Sequence, residues 1–230
     1  MQTPSTATIE DVHELKRYLV LDDGEEEAIR RVGARYPWRI TSYYAALMDS
    51  RDRACPLRRQ FVPDPDELDG TYGMPDPLDE GPNSPVPGVI RVYPDRIAVI
   101  ATNRCFSYCR HCLRKRLPRD VSGDLVGERR KRVIEYIRSD PAIRDVLLTG
   151  GDPLVLDECD MSALLAELRT IPHVDIIRIG TRTPCTNPDS ITPSLADMLA
   201  RHHPVWVSTQ FNHERELTAS SVRALELLVD

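Results

Sequence analysis

No run in the 230-residue chain approaches the ~20 consecutive apolar residues that a membrane-spanning helix requires. The opening MQTPSTATIEDVHELK lacks a basic segment followed by an apolar one, so no secretory leader is evident. Both absences point to the cytoplasm, where cysteines bunched in sequence signal metal or redox chemistry rather than structural disulfides. A positive excess is missing too: 30 Lys and Arg face 36 Asp and Glu, a formal net charge of −6. That balance speaks against a general nucleic-acid binder, which would carry a basic stripe. Lysine is scarce, with Lys16, Lys115 and Lys131 supplying all of it. The basic run Arg129, Arg130, Lys131 and Arg132 opens an expected helix and reads as a solvated face. The run Arg114, Lys115 and Arg116 follows a cysteine cluster and is harder to assign to solvent alone.

What is present is enough apolar residue, 41%, to build a real core. The texture divides the chain at residue 88. Residues 1–88 are expected to be mainly helical and then extended. Glu25 to Arg35 is charged and helix-prone, and Thr41 or Ser42 can cap a short helix over Tyr43–Met48. From Pro56 to Pro87 proline, aspartate and glycine crowd the sequence, which reads as a connector docked through Phe61, Leu68, Tyr72 and Leu78. From residue 89 onward the pattern becomes strand–helix alternation. Strands are expected at Ile97–Ala101, Asp145–Thr149, Val174–Ile179 and Pro204–Ser208. Helices are expected around Val133–Ile137, over Met161–Leu168 with Asp160 as cap, over Ser194–Arg201, and over Leu217–Val229.

This is an α/β chain of about four βα units, and its apolar strands imply a parallel sheet or barrel buried on both faces. Right-handed crossovers put every strand's C-terminal end on one rim. The cysteines, Gly150-Gly151-Asp152, Gly180-Thr181-Arg182-Thr183 and the segment Gln210 to His213 all fall on that rim. Enzymes of this architecture place their active sites there.

Of the six cysteines, Cys55, Cys159 and Cys185 stand apart, while Cys105, Cys109 and Cys112 form a CxxxCxxC cluster. A zinc site is one reading, and it needs a fourth ligand such as His111, Cys159 or Cys185. His111 adjoins Cys112, which makes joint ligation of one ion awkward. Three unrelated core cysteines are another reading. The third is a 4Fe–4S cluster held by three thiolates, whose fourth iron stays open to chelate the amino and carboxylate groups of S-adenosylmethionine. Gly150-Gly151 would let backbone carbonyls approach such a ligand, though a glycine pair after a strand is often only a turn.

The cysteine spacing, with Tyr108 just before Cys109, resembles the radical S-adenosylmethionine proteins. In that superfamily the position of Gly150-Gly151-Asp152 receives the methionyl amino group. Longer phrases, namely SPVPGVIRVYPDRIAVIATNRCFSYCRHCLRKR, DVLLTGGDPLVL, IRIGTRTP, ITPSLADML and HPVWVSTQFNH, resemble the lysine 2,3-aminomutase family, from about Ile9 to the last residue. The resemblance implies a partial (βα) barrel of the radical SAM type and an isomerase that moves an α-amino group to the β-carbon. It also implies a 5′-deoxyadenosyl radical and a pyridoxal 5′-phosphate imine. By the same resemblance Arg114 grips the substrate carboxylate, Tyr93 and Arg96 lie near pyridoxal phosphate, and Gln210 contacts S-adenosylmethionine where a histidine is usual. Val92 stands where a basic residue is usual. Lysine is the first expected substrate, with glutamate or a protein-bound lysine as variants. An electron donor such as flavodoxin or ferredoxin, and homo-oligomers, are the implied partners. The family's pyridoxal lysine has no counterpart in this sequence. The helix reaching Leu227, Leu228, Val229 and Asp230 has no finishing element after it, so the chain is expected to be a fragment of a longer aminomutase.

Overall fold

The computed structural model describes residues 7–69, 73–115 and 123–229. Tyr72, Arg116 and Asp230, singled out above, lie outside the described residues.

The N-terminal part is built from short elements with strong local signals. Strand β1 (Thr8–Ile9) pairs antiparallel with β2 (Ile40–Thr41). Between them lie α1 (Val12–Leu15) and α2 (Asp23–Arg35). Asp22 starts α2 through a capping box, its carboxylate accepting from the Glu25 amide while Glu25 reaches back to the Asp22 amide. Thr41 caps α3 (Ser42–Leu47) by accepting from the Tyr44 amide, one of the two caps expected there. Cys55 precedes α4 (Pro56–Phe61), with proline at the position where a missing N–H costs nothing. These elements bury Leu15, Ile29, Ile40, Leu57 and an edge-on pair, Tyr44 and Phe61, with ring centroids 4.4 Å apart. Two residues from later in the chain, Cys109 and Phe211, pack against this core, and Cys185 is buried in it.

The remainder is a five-stranded sheet in the order β3-β4-β5-β6-β7. Strands β4 (Arg96–Thr102), β5 (Asp145–Gly150), β6 (Ile176–Thr181) and β7 (Val205–Thr209) are parallel. The edge strand β3 (Val89–Ile90) is antiparallel, pairing Val89 with Val99, and no sequence signal marked it as a strand. Helices α5 (Gly127–Ser139), α6 (Glu158–Arg169), α7 (Thr183–Thr186), α8 (Pro193–Ala200) and α9 (Ala219–Val229) follow the strands. Helix α6 begins earlier than its apolar periodicity suggests, because Asp157 rather than Asp160 caps it, accepting from the Cys159 amide at 2.8 Å. Asp160 sits in the first turn instead, where its charge suits the helix dipole.

The expected burial on both faces holds at the end of β4, where Ile100 and Thr102 are buried beside Val99 and Ala101, but on β5 and β6 one face only is buried. Ile97, Val99, Val146, Leu148, Ile177 and Ile179 are packed against Val133, Ile137, Leu164 and Leu168 of the helices. The alternate residues Leu147, Thr149, Arg178 and Gly180 are half-buried and line open cavities, and Trp206 is 62% exposed. Polar side chains at alternate positions break the apolar pattern on that side, so the sheet offers it to ligands rather than to a second layer.

Candidate functional site

The strand ends converge as the rim argument requires. Cys105, Cys109 and Cys112 follow β4, and they share one cavity of about 520 Å³ with Gly150, Gly151 and Asp152 after β5, Arg182 after β6 and Gln210 after β7. The register of β4 against β5 slips between Ile100 and Thr102, so the chain kinks where it enters the cysteine loop.

The cysteine loop lies between β4 and α5, and the N-terminal part clamps it. Tyr108 donates its amide to the Arg39 carbonyl at 2.9 Å, and Arg110 donates its amide to the Gln60 carbonyl at 2.7 Å. The Thr41 amide donates to the Ser107 hydroxyl at 3.0 Å, and the Arg39 guanidinium to the Cys105 carbonyl at 3.3 Å. The Arg110 guanidinium forms a two-pronged bond with Glu67, 2.8 Å on each side, and a third to the Pro37 carbonyl. Burial pushes the Glu67 carboxyl up, but Arg110 and Lys115 outweigh it and hold that group below its ordinary value.

The two glycines are dictated by packing. A β-carbon on Gly150, whose φ is +122°, would lie 2.5 Å from the Thr102 carbonyl oxygen, and one on Gly151 would lie 2.1 Å from that of Arg104. Their absence lets the β5 turn press against the base of the cysteine loop, where Gly151 and Asp152 donate their amides to Thr102 and Arg104. Asp152 is buried, and its carboxylate accepts from the Thr181 hydroxyl and from the amides of Leu154 and Arg182. It ties the turns after β5 and β6 together, and burial raises its carboxyl.

Burial also raises the thiols of Cys105 and Cys109, the latter against the pull of the neighbouring Arg182. A metal bound at these positions would have to displace their protons. Among the described residues no three His, Cys, Asp or Glu side chains converge as a single ion requires. Cys159 is exposed at the start of α6 and Cys185 is buried in the N-terminal core, so neither joins the cavity as a fourth zinc ligand. Three thiols on one cavity are the donor set of a 4Fe–4S cluster that leaves one iron open.

A second cavity of about 470 Å³ adjoins the first, and Arg114, Leu147 and Arg178 line both. Tyr93 and Arg96 belong to this second chamber, with the Arg96 guanidinium 5.4 Å from the Tyr93 ring centre. The Arg114 Nε donates to the buried Glu80 at 2.6 Å. Arg178 grips Asp145 with two bonds of 2.9 Å. None of the three lysines lines either chamber. Lys16 pairs with Glu26, Lys115 lies over the Tyr36 ring and bonds Glu67 at 3.0 Å, and Lys131 is exposed on α5.

The sequence marked the ends of all four parallel strands but not Arg178, Glu80 or Glu67, whose partners lie far away in the chain. Arg182 was visible only as part of the phrase Gly180-Thr181-Arg182-Thr183, and Glu216, the buried carboxylate that pairs with it at 3.0 Å, carried no signal.

The chain matches the Radical SAM superfamily over residues 99–223. It is 44% identical to L-lysine 2,3-aminomutase of Clostridium subterminale over 223 residues, 96% of this chain and 54% of that protein. The L-lysine 2,3-aminomutase of Bacillus subtilis is 42% identical over 226 residues, 98% of this chain and 48% of its own. Glutamate 2,3-aminomutase of Clostridioides difficile is 39% identical over 226 residues, 96% of this chain and 53% of its own. The chain spans about half the length of the curated relatives it matches.

Proposed function

Since the chain belongs to the lysine 2,3-aminomutase family of the radical SAM superfamily, we propose that it forms the radical-generating part of an amino-acid 2,3-aminomutase. The observation that carries this reading is the pair of joined chambers. One holds the three cysteines and the glycine turn, the other Tyr93 and Arg96, and Arg114 stands in the wall between them.

Cys105, Cys109 and Cys112 would hold three irons of a 4Fe–4S cluster. When bound, the cluster supplies the electron that cleaves the sulfonium of S-adenosylmethionine. Gly150 and Gly151 let the turn after β5 pack against the base of the cysteine loop and so line the cavity with backbone, and Gln210, exposed at the rim, offers an amide to the cofactor. Arg114 is held by Glu80 and presents a cation at the boundary of the two chambers, where a substrate α-carboxylate can be gripped. Lysine is the first substrate, with glutamate as the alternative. A one-electron protein donor of the flavodoxin or ferredoxin class would reduce the cluster in the cytoplasm. No helix among the described residues is long and apolar enough to cross a membrane.

Pyridoxal phosphate fits these residues only in part. Arg96, Arg114 and Arg178 supply cations for a phosphate, but no lysine of this chain lines the chamber. The described residues therefore do not complete a pyridoxal site. The second reading is a radical SAM protein that works without pyridoxal.

Anaerobic reconstitution with iron and sulfide tests the proposal. About four irons per chain are expected, together with release of 5′-deoxyadenosine from S-adenosylmethionine under dithionite. Both are expected to be lost in Cys105→Ala, Cys109→Ala and Cys112→Ala. Zinc as the sole metal, or no 5′-deoxyadenosine from an iron-loaded chain, would overturn it. Pyridoxal phosphate added together with lysine separates the two readings, because only the first expects pyridoxal phosphate to stay with the chain through gel filtration.

A further inference from the structure

Arg182 is the N-terminal boundary residue of α7, and its side chain runs back toward the cysteine loop rather than out to solvent; it is 11% exposed. Its Nη1 lies 3.0 Å from the Cys109 sulfur. Its Nη2 reaches the Gln60 side-chain oxygen at 2.9 Å and the Glu216 carboxylate at 3.0 Å. The guanidinium lies over the Phe61 ring, 5.2 Å from its centre, and its backbone amide is held by Asp152 at 2.8 Å. Glu216 is fully buried and accepts from the Tyr44 hydroxyl, the Gln60 amide group and the backbone amides of Asn212 and His213.

A guanidinium held this firmly cannot swing away from the sulfur. The sulfurs of the loop are consequently unequal. Cys109 faces a charged donor, whereas Cys112 accepts a neutral donor, the Arg114 backbone amide, at 3.3 Å. Hydrogen bonds to cluster sulfurs help set the potential of an iron–sulfur centre. The reduced cluster carries one more negative charge than the oxidised one, so a cation at a ligand sulfur favours the reduced state. Glu216 acts in the opposite sense, from the far side of the same guanidinium.

We propose that Arg182, anchored by Glu216, is a positioning residue that donates to the Cys109 thiolate of the bound cluster and raises the cluster's reduction potential, bringing it within reach of a biological donor. The proposal rests on the cluster assignment made above.

The test is an EPR-monitored redox titration of the iron- and sulfide-reconstituted chain without S-adenosylmethionine, comparing wild type with Arg182→Gln and Glu216→Gln. Arg182→Gln removes the donor and leaves Glu216 uncompensated, so its potential is expected to shift to a more negative value. Glu216→Gln removes the opposing charge while keeping the guanidinium, so its potential is expected to shift to a less negative value. Opposite signs are the signature, since two variants that merely loosened the fold would have no reason to diverge. Equal potentials in all three proteins, or shifts of the same sign, would overturn the proposal. If Arg182→Gln takes up no iron, Glu216→Gln decides alone, and a potential at or below that of wild type overturns it. A wild-type chain that forms no four-iron cluster would instead overturn the assignment beneath it.

Discussion

At Gly150 and Gly151 the chain has no room for a β-carbon, and the obstacle in each case is backbone rather than a movable side chain. The hypothetical atoms would fall 2.5 Å from the Thr102 oxygen and 2.1 Å from the Arg104 oxygen. Gly150→Ala also forces a side chain onto a φ of +122°, which L-residues seldom adopt. Strain and overpacking together are expected to cost about 3 kcal/mol. Urea unfolding of the metal-free chain reads this directly, and an unchanged midpoint would contradict it. Iron uptake is expected to fall with it, because the displaced atoms belong to the base of the cysteine loop.

Among the elements, the cysteine loop depends on clamps from the N-terminal segments. The ion pair among these is Arg110–Glu67, with side chains 4% and 10% exposed. Glu67→Gln leaves the Arg110 charge buried and half-partnered, an expected loss of about 3 kcal/mol at neutral pH. The sign of its pH dependence follows from the lowered Glu67 carboxyl. Its contribution is complete above the ordinary glutamate range, near 4.3, and is lost as pH falls through the lower folded value. The stability gap between wild type and variant should therefore narrow below about pH 4. A gap that stays constant across an acid series of urea titrations would refute the assignment.

The strands were legible because each is a short apolar run stopped by glycine or a polar loop, and their shared rim followed from handedness alone. The clamps were not. Thr41 meets Ser107 across 66 positions, Gln60 meets Arg182 across 122 and Tyr44 meets Glu216 across 172. Nothing local in Thr41, Gln60 or Tyr44 announces such a partner, and a buried Glu216 contradicts the usual reading of a glutamate as surface. The edge strand β3 was missed because two residues are too short to show a period. The cap of α6 was misplaced because Asp157 and Asp160 are both acceptable helix starters, and only the backbone decides between them.

For the molecule as a whole, β7 has a partner on one side only among the described residues. Trp206 on this strand is 62% exposed, and Leu217, Val222 and Val229 beyond it are 53%, 41% and 82% exposed. An open strand edge beside apolar side chains invites pairing with another chain. The isolated chain is expected to gain mass with concentration in light scattering, and Trp206→Lys to suppress that gain. A wild-type chain of constant mass over the same range would dispose of the idea. Trp38, 8% exposed in the N-terminal core, serves as an internal control, since its fluorescence should be unaffected by association.

The closure of Arg182 on Glu216 also bears on the order in which the protein is made. Arg39, Thr41, Gln60 and Glu67 leave the ribosome before Cys105, Cys109 and Cys112 do, so the partners on that flank are made first. Arg182 follows Cys109 by 73 positions and Glu216 comes 34 later still. A nascent chain thus displays its thiols fixed on one flank and open on the other. Iron delivered in that interval would meet a half-built cradle, one that Arg182 and Glu216 complete only later.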